Sequence, residues 1–254
     1  MAPALAALEA QLTEAGWDLL LCNGGKDATP LGGARALVSR GVGALVFMGV
    51  GLPTELCEVR GIQRLPCVSV DRTDHTGFTA NAGLDLDRAG KLIADYLGQL
   101  GHRWMAVVTD PRSIIGALLV EAFRADKDLD RSPLEVMNIG DEPIAEGILR
   151  WLALPNSPTA VICASDATAL AVMHACACRG IEIPGRLSVI GFGDSPLARC
   201  VSPALTSVRI PARTAGIAAA EYLLARFACR VPDLAELPVK LVIRGSTGPL
   251  ARSG

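Results

Sequence analysis

The sequence has no excess of basic charge: 24 Lys and Arg stand against 26 Asp and Glu, for a formal net charge of -2. Holding a duplex by its phosphates takes a positive face, so this chain by itself is not expected to bind DNA. It also lacks an unbroken apolar run of about eighteen residues, which excludes a membrane-spanning helix. The opening MAPALAALEAQLTEAG has no early basic cluster and is interrupted by Glu9, Gln11 and Glu14, so it does not make a secretory signal. The three histidines, His75, His102 and His174, are far apart in sequence, and each reads as a core or surface residue rather than as a catalytic base.

What is present points to a compact chain. Half of its 254 residues are hydrophobic and 20% are charged, enough to bury a large core in one big domain or two lobes. The eight cysteines are scattered and mostly sit in apolar segments, so they read as reduced thiols of a cytoplasmic protein. His174, Cys176 and Cys178 form the one cluster with metal-binding residue types, but residues two apart on a helix point to nearly opposite sides. No metal and no cofactor are expected.

Short β-branched or Leu-rich runs alternate with longer stretches of helical spacing, the pattern of parallel strands joined by crossover helices. Strands are expected at 18–22, 43–48, 66–70, 103–109, 134–138, 159–163 and 187–191. Helices are expected at 4–15, 32–40, 87–100, 114–125, 144–152, 167–179 and 212–227. Gly16, Gly41, Gly101 and Gly180 mark helix ends, and Asp85 and Asp166 mark helix starts. Gly101-His102-Arg103 reads as the junction between two lobes.

In an open parallel sheet, chemistry sits in the loops beyond the carboxyl ends of the strands. The glycine strings NGGKDATPLGG (23–33) and GVGLP (49–53) match neither the dinucleotide fingerprint nor the phosphate-binding loop. VIGFGDSP (189–196) has no Ser between two glycines at the spacing of a nucleophile elbow. These readings exclude the common enzyme classes, and the chain is expected not to be an enzyme.

Five strings in order carry a more specific signal: LGQLGHRWMAVVTD (97–110), SPTAVICASDATAL (157–170), IPGRLSVIGFGDSPLA (183–198), PALTSVRIP (203–211) and LVIRGSTG (241–248). Through them the chain resembles, from about Leu5 to its end, the effector domain of LacI/GalR (lac repressor) family transcriptional regulators. The resemblance implies an α/β fold of the type I periplasmic-binding-protein-like kind, with two similar lobes, each a parallel sheet flanked by helices. The first lobe would be 1–101 plus 208–236, and the second 101–207 plus 237–254. It also implies a homodimer and a small sugar-like effector in the interlobe cleft. Operator DNA would be reached only through a helix-turn-helix head that precedes the sensor in family members.

Family members carry that head, a hinge and a central strand ahead of the helix at which this sequence opens. The expectation is an N-terminally truncated chain whose first lobe lacks its first strand. The other readings are a solute-binding protein of a transport system and a truncated regulator without autonomous function.

The resemblance also implies the effector contacts. Asp85 matches the first-lobe acidic contact. Ser165 and Asp166 stand at an Asn-Asp pair, and Leu119 stands where an Arg is usual. Gly193 replaces the first Asp of a Gly-aromatic-Asp-Asp motif and leaves Asp194, while Glu142 falls near an aromatic lid. For Asp85 and Asp166, capping the following helix is the structural alternative. With Leu119 in place of the Arg the pocket loses a bidentate donor for carboxylate or phosphate, and Glu142 adds an acceptor, so a neutral or cationic polyhydroxylated or amine-bearing ligand is expected over an acidic sugar.

Overall fold

In the computed structural model, residues 2–22, 29–48, 54–70, 80–83, 85–110, 113–125, 134–138 and 140–250 are described. Along the chain come α1 (Ala2–Glu14), α2 (Pro30–Val38), β1 (Leu45–Met48), β2 (Cys67–Val70), β3 (Ala80–Ala82) and α3 (Leu86–Gln99). There follow β4 (Met105–Thr109), α4 (Ile114–Ala125), β5 (Leu134–Asn138), α5 (Ile144–Leu152), β6 (Ala160–Cys163) and α6 (Asp166–Cys178). The chain ends with β7 (Ser188–Phe192), β8 (Thr206–Arg209), α7 (Ala212–Phe227) and β9 (Lys240–Val242). The predicted helices α4, α5 and α7 match to the residue. The glycine strings at 23–28 and 49–53, and His75, lie outside the described residues.

These elements form two compact units, Met1–Asp85 with Pro211–Pro238, and Leu86–Ile210 with Val239–Gly254. The first division falls at Asp85, upstream of the junction the sequence pointed to at Gly101, because α3 packs against α4 and β9.

In the first unit, β1, β2 and β3 pair in that order, all parallel. One face of the sheet is covered by α1 and α7, where Ala4, Leu8 and Leu12 meet Ala215, Ala219 and Leu223 over Val68 and Val70. A separate cluster joins Ala34 of α2 to Leu45, Phe47 and Ile62. Thr29 sets the start of α2, its hydroxyl accepting the Gly32 N–H at 3.0 Å with Pro30 in the first turn.

The strand expected at 18–22 is not formed. Trp17 stacks on Phe227 with ring centroids 4.0 Å apart, while Leu20 and Leu21 are 50% and 67% exposed. An apolar run of this kind suits a strand covered on both faces, but it needs a ladder partner. Among the described residues β1 is an edge strand, bonded only to β2. Beside β1 and residues 17–22 lies a cavity of about 650 Å³ lined by Leu8, Leu12, Leu45, Phe47 and Phe227.

In the second unit a six-stranded sheet runs β5-β4-β6-β7-β8-β9, parallel except for antiparallel β9. Every residue of β4, β6 and β7 is buried, as expected for a parallel sheet covered on both faces. The short strands β3 and β8 were not among those expected. Ala-Asn-Ala carries little strand signal and Thr-Ser-Val-Arg is only four residues long, and both are held by the ladders of β2 and β7.

His102, 2% exposed, leads the chain into β4. Its Nε2–H donates to the Gly248 carbonyl at 3.0 Å and its Nδ1 accepts from the Thr159 hydroxyl at 2.9 Å. Burial lowers its pKa from 6.5, partly opposed by the bond to Gly248. With the folded pKa depressed, the neutral ring contributes fully above about 6.5, where both states are uncharged. As pH falls through the folded value that contribution is lost, because the unfolded chain takes up a proton the folded one resists. The unfolding midpoint is therefore expected to fall between pH 7 and 5, and His102→Gln should flatten that slope. An unchanged slope in the variant would assign the pH dependence elsewhere.

Candidate functional site

Beyond the carboxyl ends of β6 and β7 the second unit gathers a network of carboxylates, hydroxyls and guanidiniums, in the loops where a parallel sheet presents its ligand sites. After β6, Ser165 caps α6: its hydroxyl accepts the Thr168 N–H at 3.1 Å and pairs with the Thr168 hydroxyl at 2.9 Å. Capping therefore falls to Ser165, and Asp166 is free to turn inward. It is 4% exposed, and its carboxylate accepts the Ser195 N–H at 2.5 Å and the Ser207 hydroxyl at 2.6 Å.

After β7 the chain turns through Gly193 at φ 123°, a conformation L side chains rarely adopt, and Asp194 at φ 47°. The turn is held by Gly193 N–H to the Val208 carbonyl at 2.8 Å and Asp194 N–H to the Ser207 hydroxyl at 3.0 Å. Ser207 thus accepts from one loop and donates to the carboxylate of the other.

The turn aims the Asp194 side chain inward, where it is 1% exposed. Arg244 Nη2 donates to its Oδ1 at 2.5 Å, and Arg209 Nε to its Oδ2 at 2.6 Å. Arg199 stands 3.9 Å from Oδ2. Burial alone pushes the Asp194 carboxyl upward, but the hydrogen bonds and charge of Arg244 and Arg209 outweigh it and hold the group below the ordinary carboxylate range. Arg244 is itself fixed, with Nη1 donating to the Leu205 carbonyl at 2.6 Å.

Of the residues singled out in the sequence, Ser165, Asp166, Gly193 and Asp194 converge here. Asp85 ends the first unit, its N–H donating to the Leu237 carbonyl at 3.2 Å just ahead of α3. Leu119 is 1% exposed on α4. Glu142 is paired with Arg150 at 2.5 Å. Ser195, Ser207, Arg199, Arg209 and Arg244 were not anticipated. The signal for them was Asp194 itself, since a lone acidic residue in a glycine turn needs a counter-charge to be buried. Elsewhere on the second unit, His174 and Cys178 meet at 3.6 Å across one turn of α6, with Cys176 buried away from them.

The Ser207 hydroxyl donates to a carboxylate with no imidazole among its contacts in the described residues, and each oxygen of Asp166 and Asp194 accepts one protein donor.

A family model described as the periplasmic binding protein-like domain matches residues 94–247. The HTH-type transcriptional regulator MalR of Streptomyces coelicolor is 29% identical over 96% of this chain and 76% of its own length. A LacI transcriptional regulator from a Rhodococcus species is 26% identical, covers 99% of this chain and 95% of its own, and superposes with a TM-score of 0.84. A LacI family regulator from Enterococcus faecalis, solved with bound ribose, shares the fold at 23% identity and a TM-score of 0.84, over 98% of this chain and 94% of its own. Among the described residues no helix is long and apolar enough to cross a membrane. By the family match this chain belongs to the periplasmic binding protein-like domain family, and the relatives it is similar to in sequence and fold are LacI-type transcriptional regulators.

Proposed function

We propose that this chain is the ligand-sensing and dimerising part of a LacI-type transcriptional regulator. It binds a small sugar-like metabolite and biases operator binding by the full-length protein, working in the cytoplasm and without catalytic turnover. Its two units serve as the lobes of the sensor. The observation that carries this reading is the hydrogen-bonded network at the carboxyl ends of β6, β7 and β8. Asp166 and Asp194 tie the two loops together there through Ser195, Ser207 and Arg244. Ribose bound to a regulator of the same fold supports a ligand of this size. A ligand that favours one arrangement of the sensor shifts its population by its differential affinity, and a dimer passes that bias to paired DNA-binding heads.

Thermal unfolding of the purified chain against a panel of pentoses, hexoses, their acids and their phosphates tests it. A ligand at a hundredfold its Kd stabilises by about 2.7 kcal/mol, which raises the midpoint by about 5–10 °C for a chain of this size. Light scattering is expected to give twice the monomer mass. A monomer at high concentration that no metabolite stabilises would sink the reading.

A further inference from the structure

The charges at this site are unequally open to solvent. Both carboxylates lie inside, with Asp194 1% and Asp166 4% exposed. The guanidiniums lie progressively outward, with side-chain exposures of 14% at Arg244, 49% at Arg209 and 64% at Arg199. All four carboxylate oxygens accept a hydrogen bond from the protein itself: Asp166 from Ser195 and Ser207, Asp194 from Arg244 and Arg209. Buried and already engaged, they present little surface to a ligand.

The donors are in the opposite condition. A guanidinium carries five N–H groups in a planar fork. Arg209 uses its Nε on Asp194, and Arg199 approaches Asp194 only at 3.9 Å, beyond hydrogen-bond reach. Three cations against two anions leave the cluster with an excess of one positive charge, on its solvent side. The Ser195 hydroxyl, beside Asp194 in the chain, is buried without a partner among the described residues.

We infer that this site takes an anionic effector, a sugar-sized metabolite bearing a carboxylate or a phosphate, with the acidic group held by Arg199 and Arg209. Planar donors of this kind suit bidentate capture of either group. The inference rests on the effector-sensing reading and names the ligand class. It reverses the preference expected from the sequence, which rested on the Arg donor lost at Leu119 and the acceptor added at Glu142.

Calorimetric titration and thermal unfolding with gluconate, glucose 6-phosphate, ribose 5-phosphate, glucose, ribose and inorganic phosphate test it at matched ionic strength. An acidic sugar is expected to bind at least tenfold more tightly than its neutral counterpart, and more weakly as salt rises. Gluconate against glucose 6-phosphate tells carboxylate from phosphate. Arg199→Gln, on an exposed side chain without a close partner, is expected to fold normally and lose about tenfold in affinity for the acid while leaving any affinity for the neutral sugar unchanged. Arg209→Gln should lose more.

Neutral sugars that bind as well as the acids would overturn the inference and leave the sensing role standing. So would acid binding that survives both substitutions. If no compound of either class binds, the sensing role and this inference fall together.

Discussion

Trp151→Ala is expected to destabilise the second unit by about 3–5 kcal/mol, the cost of emptying a large aromatic site in a packed core. Trp151 is 1% exposed on α5 and packs in one cluster with Ile148, Met137, Val161, Val172 and Val189. Ile148 and Trp151 are three residues apart and share the face of α5 that meets this cluster. The indole N–H has no partner among the described residues, so the side chain acts through volume and apolar area rather than through a hydrogen bond. Trp151→Phe should therefore cost far less than the alanine variant. Unfolding midpoints of the two variants decide this: a loss of less than about 1 kcal/mol for the alanine would mean the cavity collapses.

Asp194→Ala is expected to cost about 3 kcal/mol, because it strands Arg244, whose side chain is 14% exposed, without its counter-charge. Arg209, about half exposed, can turn to water and adds little. Removing both partners, as in Asp194→Ala with Arg244→Met, should recover much of the loss, since no buried charge is then left unpaired. The carboxyl is held below its ordinary value of 3.8. Its stabilisation is thus complete above that value and lost as pH falls through the folded pKa, so wild type and Asp194→Ala should converge in stability under acid. Denaturant midpoints at pH 7 and at low pH read both effects. A double variant no better than Asp194→Ala would mean that the carboxylate acts through something other than Arg244.

Composition and local pattern made much of the fold legible. Doubly covered parallel strands appear as near-continuous apolar runs, and crossover helices appear at helical spacing between them, so α4, α5 and α7 were bounded correctly and β4, β6 and β7 nearly so. Ser165-Asp166 and Gly193-Asp194 were singled out through the family resemblance, and both pairs lie just beyond strands that the pattern marks. The roles inside those loops were not legible. Ser165 rather than Asp166 caps α6, because Asp166 is drawn inward by Ser195 and Ser207 from other parts of the chain.

The sequence by itself determined the α/β class, the order of strands and crossover helices, the lack of a basic field for DNA and the places where a ligand site can form. Each follows from composition or from a period repeated over a few neighbouring residues. Only the tertiary structure decided which residues meet. Residues 18–22 have the composition of a buried strand but pair with no strand among the described residues, while Ala80–Ala82 and Thr206–Arg209 become strands because a neighbour pairs with them. Asp194 finds Arg244 at a separation of 50 residues. Backbone pairing and charge neutralisation are contacts between distant segments. Their energy depends on the fold as a whole, and no local pattern in the chain records it.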